Sequence, residues 1–219
     1  KHSEIKLNAI HNVTLTSKEE WTNDSKFGNY FKRNNYKTYL ILGASSEIAL
    51  NLINKLLIDG NHVIFASRSL NKHKSDLETK IIDNKSYSTQ ISFLDLSLDY
   101  TKQLNDLCEN DIFIDHIFYF SSTPINSDLN SHMNINYSRY KLTIDTLLPK
   151  ILSQQSGVFS YISTSALSKY IEDWDSYIAS KAAAENLNLR LDNKFKQYGL
   201  RFSNIRLPLV DSNFSKGFS

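Results

Sequence analysis

The sequence alternates short apolar runs with longer segments of helical periodicity, and this alternation limits the folds that the chain can adopt. The apolar runs between residues 38 and 207 read TYLILG, HVIFAS, STQISFLDLS, IDHIFYFSS, GVFSYIST and LRFSNIRL. Runs such as TYLIL and HVIFA are continuously apolar, which is typical of parallel strands that are covered on both faces. We therefore predict six strands in a largely buried sheet.

Helical segments separate these strands. The first reads SEIALNLINKLLIDG, with apolar residues three and four places apart and a glycine at its end. The others read SDLETKIIDN, YTKQLNDLCEN, NINYSRYKLTIDTLLPKILSQ and DSYIASKAAAENLNLRLDNKFKQYG. Strands joined by helices of this length imply right-handed crossovers and a parallel sheet. We expect an α/β fold with a doubly wound, Rossmann-type sheet in three αβα layers, whose ligands bind at the carboxyl ends of the strands.

Composition bounds the organisation of the chain and its partners. With 219 residues, of which 41% are hydrophobic, the chain can bury a sizeable core. Residues 37–219 form the predicted domain, and residues 1–36 are interpreted as an N-terminal extension or linker. The formal net charge is +2 without a long basic run, so we expect no nucleic-acid partner.

Residue usage also bears on location and on metals. The single cysteine, Cys108, cannot form an internal disulfide, which fits a reducing compartment and predicts a cytoplasmic protein. No apolar run approaches a membrane span and no signal peptide is recognisable, so we expect no membrane partner. The six histidines lack metal-ligand spacing, so no metal site is predicted. The chain begins at Lys1 rather than Met, which is consistent with a piece of a longer protein.

The segment GASSEIA, residues 43–49, joins the first strand to the first helix. In a doubly wound sheet this turn receives a cofactor phosphate, because glycine allows close backbone approach and a helix N-terminus favours an anion. Gly43, Ser45 and Ser46 are the candidate phosphate contacts. A simple capped turn is the alternative interpretation of the same letters.

The second strand ends in ASRS, at the point where dinucleotide sites reach the adenosine ribose. An acidic residue there would bind the 2′-hydroxyl group, whereas Arg68 would pair with a 2′-phosphate. A solvated surface arginine is the alternative. In the predicted fold, Arg68 favours NADP(H) over NAD(H).

The hexapeptide SYIASK places Tyr177 four residues before Lys181 at the start of the last long helix. Positions i and i+4 lie on one helix face, so the lysine cation can favour the ionised form of a tyrosine whose pKa is ordinarily about 10. By itself the pair is more typical of a partly buried tyrosine beside a lysine that extends to solvent. Its interpretation therefore depends on the other motifs.

Seven motifs occur in one order along residues 37–215, namely GASSEIA, ASRS, FLDLS, NINY, ISTSA, YIASK and IRLPLV. Together they resemble the short-chain dehydrogenase/reductase family. Several motifs with correct mutual spacing are much more specific than any one of them. Within this set we interpret Tyr177 and Lys181 as catalytic residues.

The resemblance implies cofactor contacts at several strand ends. The implied cofactor-binding residues are Gly43, Ser45, Ser46, Ile48, Arg68, Asp95, Leu96, Ser121, Ser122, Tyr177, Lys181, Pro208 and Val210. The sequence departs from the family at Glu47 and Ala49, where glycines are usual, and Glu47 puts a carboxylate near the expected diphosphate. After the fourth strand, FSS replaces the usual Asn-Ala-Gly, and Leu209 replaces a glycine after the sixth.

The resemblance also assigns the remaining catalytic groups. Asn136 is similar to the family's helix asparagine, whose backbone carbonyl holds a water near the lysine, and Pro149 follows 13 residues later as is usual. Counting back 13, 12 or 14 residues from the tyrosine gives Thr164, Ser165 or Ser163 as the catalytic hydroxyl. Spacing favours Thr164, and the chemistry of serine makes Ser165 a close second.

The resemblance implies an NADPH-dependent enzyme that reduces a ketone to a secondary alcohol by reversible hydride transfer, with Tyr177 as proton donor. A keto-sugar or other small carbonyl and a 3-oxoacyl chain are both open as substrates. A catalytically degenerate dinucleotide-binding or interaction module is the alternative from another class, motivated by Glu47, FSS and Leu209. By family analogy we expect a homodimer or homotetramer, formed by the helices near 135–155 and 177–197. The family continues with a seventh strand, so the domain either lacks this strand or extends beyond Ser219.

Overall fold

The computed structural model describes residues 36–68, 70 and 90–208. Within these residues, six strands form one sheet: β1 (Thr38–Leu42), β2 (His62–Ser67), β3 (Ile91–Asp95), β4 (His116–Tyr119), β5 (Gly157–Thr164) and β6 (Leu200–Leu207). The α-helices are α1 (Glu47–Ile58), α2 (Tyr100–Glu109), α3 (Leu129–His132), α4 (Arg139–Ser153) and α5 (Asp175–Phe195). The extension before residue 36, the predicted helix at 75–84, Leu209 and Val210 lie outside the described residues.

The strand order is β3-β2-β1-β4-β5-β6, and every pair is parallel. The chain runs outward from β1 to β3 and then crosses back to β4, so the order reverses between β1 and β4. In open α/β sheets the ligand cleft lies at such a reversal, outside the carboxyl ends of the strands. The prediction of a doubly wound sheet is confirmed.

Side-chain alternation along the strands divides the core into two layers. Leu40 and Leu42 of β1 pack on one face with Ala66 of β2, Tyr119 of β4 and Tyr161 of β5, against α2, α4 and α5. Ile41 and Phe65 pack with α1 on the other face. Because both faces of the central strands are covered, β1 is buried along nearly its whole length, as its continuous apolar run predicted.

The predicted single helix over residues 134–154 is interrupted. A π-helical segment, Met133–Ser138, lies between α3 and α4. The Tyr119 hydroxyl at the end of β4 donates to the carbonyl of Ile135 inside this segment at 2.6 Å, and this bond competes with the regular helical pattern. Single-turn π segments frequently occur at functional sites, and this one contains Asn136.

Within the described part of the chain, no helix combines the length and the apolar composition needed to cross a membrane.

Candidate active site

Gly43 lies at the end of β1, beside the end of β4. Its φ angle is +78°, a left-handed conformation that side chains rarely adopt, and an added Cβ would lie 2.6 Å from the backbone N of Ser121. The amide N–H groups of Gly43 and Ala44 both donate to the carbonyl of Ala66, at 3.0 and 3.2 Å. The turn is thus fixed against β2, and glycine is required because the segment after β4 passes directly over it.

The other residues of this turn present hydroxyl groups. The Ser46 side chain caps α1 by accepting from the Ala49 N–H at 3.2 Å. Ser45 is exposed, and its hydroxyl accepts from Ser67 at the end of β2 at 3.3 Å. Arg68, which directly follows Ser67, is also exposed. Hydroxyl donors, a helix N-terminus and a cation are a donor set that suits the phosphates of a dinucleotide.

Glu47 is the first residue of α1 and is exposed. A carboxylate in the first turn interacts favourably with the helix dipole, the same field that would attract a phosphate. The departure from the family at this position therefore introduces a competing negative charge at the expected diphosphate site. Ile48, which follows in α1, is partly buried.

The predicted adenine and nicotinamide contacts lie at the same edge of the sheet. Asp95 ends β3, opposite Ser67, and accepts from the N–H and the hydroxyl of Ser97 at 2.9 and 2.6 Å. Leu96 is buried, and its N–H donates to the carbonyl of Ser67 at 2.9 Å. Pro208 follows the end of β6 and is exposed. The predicted cofactor contacts after β2, β3 and β6 thus lie at one edge of the sheet, because parallel strands all end at the same edge.

Tyr177 lies in the first turn of α5 and is only 7% exposed. Its side chain is hydrogen-bonded to Ser122. Burial raises the pKa of Tyr177 to about 12, and the bond to Ser122 opposes this rise. The sequence predicted a pKa lowered by the neighbouring lysine, whereas the structure shows the opposite direction because burial penalises the tyrosinate. Tyr177 is therefore a neutral acid at ordinary pH.

Lys181 lies one turn further along α5 and is 3% exposed. Its Nζ donates to the carbonyl of Ile162 in β5 at 2.9 Å and lies 4.8 Å from the centre of the Tyr161 ring. Burial lowers the pKa of Lys181 to about 7, and Glu185 on the next turn opposes this shift. Lys181 is thus bonded to β5 near the end of the strand, and Glu185 only partly offsets the effect of burial on its pKa.

Asn136 connects the π segment to both neighbours of the tyrosine. Its Oδ1 accepts from the Ser122 hydroxyl at 3.0 Å, and its Nδ2 donates to the Ser180 hydroxyl at 2.9 Å. Ser180 in turn donates to the backbone carbonyl of Tyr177 at 2.7 Å. Because an amide oxygen only accepts, Ser122 donates its proton to Asn136. Ser122 is also hydrogen-bonded to Tyr177, so the network links the tyrosine side chain to the π segment.

The candidate hydroxyls lie around the end of β5. Thr164 is the last residue of β5, and its Oγ1 accepts from the Ala166 N–H at 3.2 Å, which leaves its own proton for another acceptor. Ser165 begins the following 3₁₀ turn, Ser165–Ser168. Ser163 is buried and, by strand alternation, faces the side opposite to Thr164. The structure thus keeps Thr164 and Ser165 as candidates and separates Ser163 from them.

Three contacts of the tyrosine were not predicted from the sequence. Ser122 was assigned to the cofactor rather than to Tyr177, and neither Trp174 nor His132 was assigned to the site. The Tyr177 ring meets Trp174 edge-on, with ring centres 6.0 Å apart, and meets His132 in the same way at 5.5 Å. No local motif identifies the Ser122 and His132 contacts, because they depend on how the segment after β4 packs on α5. Among the described residues, no cluster of three or more His, Cys, Asp or Glu side chains could hold a metal ion.

The carboxyl-terminal half of the chain matches a known protein family. A family model described as short chain dehydrogenase covers residues 118–219, a range that includes Tyr177 and Lys181. An uncharacterised oxidoreductase of Staphylococcus saprophyticus is 24% identical to the chain, with 82% of this chain and 80% of that protein covered. A fatty acyl-CoA reductase of Acinetobacter baylyi is 23% identical over 80% of this chain, which spans 62% of that reductase.

Solved structures share the fold. The crystal structure of a short chain dehydrogenase from Burkholderia cenocepacia, in complex with NADP, aligns with a TM-score of 0.70 at 14% identity. The alignment covers 84% of this chain and 77% of that one. The family match over residues 118–219 and the oxidoreductase relative support a short-chain dehydrogenase/reductase, and the solved structure shows the same fold.

Proposed function

We propose that the chain is an NADPH-dependent reductase that converts a ketone to a secondary alcohol. One observation carries this proposal: Tyr177 is a buried neutral acid that is linked through Ser122 to Asn136, and Lys181 lies on the same helix face. A degenerate binding module has no need for a buried tyrosine and a buried lysine on one helix face, since both groups are costly to bury.

The cofactor preference is part of the proposal. Exposed Ser45 and Arg68 at adjacent strand ends support a dinucleotide whose adenosine ribose carries a 2′-phosphate. The Burkholderia cenocepacia dehydrogenase was solved in complex with NADP, which is in line with this preference. The segment containing Ser121 and Ser122 supports the approach of the nicotinamide end, because both side chains are small.

In the proposed reaction, bound NADPH supplies a hydride to the carbonyl carbon of the substrate. Tyr177 transfers its hydroxyl proton to the carbonyl oxygen and becomes a tyrosinate. Lys181, when protonated, stabilises that anion through its charge. Thr164 donates a hydrogen bond to the same carbonyl oxygen, and Ser165 is the alternative donor. Water at Asn136 returns the proton, and the same groups serve the reverse oxidation.

The substrate class is proposed as a keto-sugar or another small carbonyl, with a 3-oxoacyl chain as the alternative. One relative is named a fatty acyl-CoA reductase, which keeps acyl substrates in the test set. The experiment is a fluorescence titration with NADPH and NADH, followed by NADPH consumption with a panel of keto-sugars, simple ketones and 3-oxoacyl thioesters. We expect tighter binding of NADPH and turnover of at least one panel member. Absence of NADPH binding would refute the proposal, whereas binding without any turnover would favour the binding module.

We also propose self-association as a dimer or tetramer through α4 and α5. Each helix presents a large apolar side chain to solvent, Leu142 at 37% and Leu189 at 60% exposure. Sedimentation velocity tests this assembly directly, and a monomer at micromolar concentration would contradict it.

A further inference from the structure

His132 is a buried side chain that the proposed reaction does not use. It ends α3 and has no exposed surface. Both ring nitrogens are engaged: Nδ1 lies 2.5 Å from the Thr123 hydroxyl, and Nε2 lies 3.1 Å from the carbonyl of Ile125. The ring therefore joins α3 to the segment that follows β4.

These partners fix the tautomer of His132. The Ile125 carbonyl only accepts, so the proton of the neutral ring is on Nε2. Nδ1 then accepts the proton of the Thr123 hydroxyl, which is itself nearly buried. With both nitrogens bonded to different residues, the ring has one orientation, and a flipped ring would lose both bonds.

The same ring contacts the proposed proton donor. Its centre lies 5.5 Å from that of Tyr177, at an interplanar angle of 64°. Trp174 makes a second edge-on contact at 6.0 Å and 87°. Aromatic pairs favour such geometry, so the two contacts restrict the plane of the Tyr177 ring. Thr123, the residue that His132 binds, directly follows Ser122, the residue that is hydrogen-bonded to Tyr177.

We propose that His132 is a positioning residue for proton transfer: it sets the plane of the Tyr177 ring by direct contact and sets the place of Ser122 through Thr123. The proposal rests on the proposed function, because it takes Tyr177 as the proton donor. In this proposal His132 acts through Tyr177 and Ser122 and not on the substrate itself. Its effect is on the direction of the Tyr177 O–H bond, to which reaction rates are sensitive.

The test uses two independent ways to disturb this arrangement. Thr123→Val removes the hydroxyl bonded to Nδ1 and keeps the ring, and Thr123→Ser restores the hydroxyl. His132→Asn removes the ring contact and keeps an acceptor near Thr123. His116→Asn is the matched control, since His116 is a partly buried histidine bonded to Ser160 at the opposite end of β4. Thermal unfolding of each variant separates loss of fold from loss of position.

The first measurement does not depend on turnover. Full-chain protein labelled with 3-fluorotyrosine is studied by fluorine NMR, and the Tyr177 signal is assigned by its loss in Tyr177→Phe. We expect the Tyr177 signal to shift in Thr123→Val and in His132→Asn, to return in Thr123→Ser, and to stay unchanged in His116→Asn. An unchanged Tyr177 signal in both Thr123→Val and His132→Asn would overturn the proposal.

The second measurement is kinetic and uses the carbonyl of the panel that the wild-type enzyme reduces. We expect Thr123→Val and His132→Asn to lower kcat by about tenfold while the KM for NADPH stays within about twofold, because the donor is misdirected while the expected phosphate contacts at Gly43, Ser45 and Arg68 are unchanged. Equal kcat in these variants and in His116→Asn would overturn the proposal, as would a loss confined to the KM for NADPH. If the wild type reduces no panel member, the proposed function fails, and the fluorine signal still decides whether His132 positions Tyr177.

Discussion

The Nζ atom of Lys181 lies 5.6 Å from the centre of the Tyr177 ring, while its hydrogen bond goes to the backbone carbonyl of Ile162. The lysine is therefore close enough to act on the tyrosine through its charge but is bonded to β5. This arrangement ties the helix face that carries both groups to the end of the strand that carries Thr164. Burial also lowers the pKa of Lys181 to about 7, so the charge of this lysine changes near neutral pH.

Lys181 is expected to make the stability of the cofactor-free protein rise with pH. Its folded pKa of about 7 lies below the ordinary lysine value of about 10.4. Between these values the unfolded chain binds a proton that the folded protein does not, so the free energy of unfolding rises with pH. Below about pH 7 both states are protonated and the burial penalty is fully present.

Urea unfolding at pH 7.5 and 9.5 (roughly the window set by those two pKa values) tests this dependence. The free energy of unfolding of the wild type should rise by up to about 1.4 kcal/mol per pH unit. We expect this rise to be absent in Lys181→Met. Lys194→Met, at an exposed lysine of the same helix, should keep the wild-type slope. Equal slopes in all three proteins would contradict the burial of a titrating lysine.

Gly43 and Gly60 form a matched pair for the turn after β1. Their φ angles are nearly equal, +78° and +79°, but an added Cβ meets backbone atoms at Gly43 and nothing within 4 Å at Gly60. Gly60→Ala should therefore cost only the left-handed strain, about 1 kcal/mol in the free energy of unfolding. Gly43→Ala should cost about 3 kcal/mol or more and weaken NADPH binding, because the segment with Ser121 must shift. Similar losses of stability in the two variants would show that the close approach is unimportant.

Arg68 is expected to discriminate between the two nicotinamide dinucleotides. Arg68→Ala should weaken NADPH binding by about tenfold or more, because a charge-assisted contact to a phosphate is lost, and should leave NADH binding nearly unchanged. Lys55→Ala removes one exposed positive charge at the other end of α1 and should affect neither. Fluorescence titration of both cofactors measures the difference, and equal losses for NADPH and NADH would rule out the phosphate contact.

Thr164 and Ser165 are separated by comparing their alanine variants. We expect Thr164→Ala to lower kcat by about tenfold or more, because the substrate oxygen loses a hydrogen bond in the transition state, and Thr164→Ser to retain activity. Ser165→Ala should have a small effect, since Ser165 lies beyond the strand in the 3₁₀ turn. Steady-state kinetics with the reduced carbonyl decides, and a larger loss in Ser165→Ala would reverse the assignment.

Periodicity and spacing predicted the fold well. Six apolar runs became six parallel strands, because strands buried on both faces carry an unmistakable apolar signal and helical crossovers fix their direction. The interruption of the helix before α4 was not predicted. It coincides with a hydrogen bond from Tyr119, which is 16 residues away from Ile135, and no local pattern reports such a bond.

The site was predicted in part. Motif order brought Tyr177, Lys181 and Asn136 to one edge of the sheet, and the structure adds how they are connected. The upward shift of the Tyr177 pKa was missed because burial cannot be read from a Tyr-x-x-x-Lys spacing. His132 was missed for the same reason, since its partners Thr123 and Ile125 precede it by nine and seven residues in an irregular segment. The NADP preference and the catalytic hydroxyl stay predictions.

The measurement that tests the central claim most directly is single-turnover reduction by the wild type and by Tyr177→Phe, each saturated with NADPH. The account predicts that both proteins bind NADPH and that carbonyl reduction is at least about 100-fold slower in the variant, because its proton donor is gone. Reduction at the wild-type rate by Tyr177→Phe would contradict the assignment of Tyr177 as the acid.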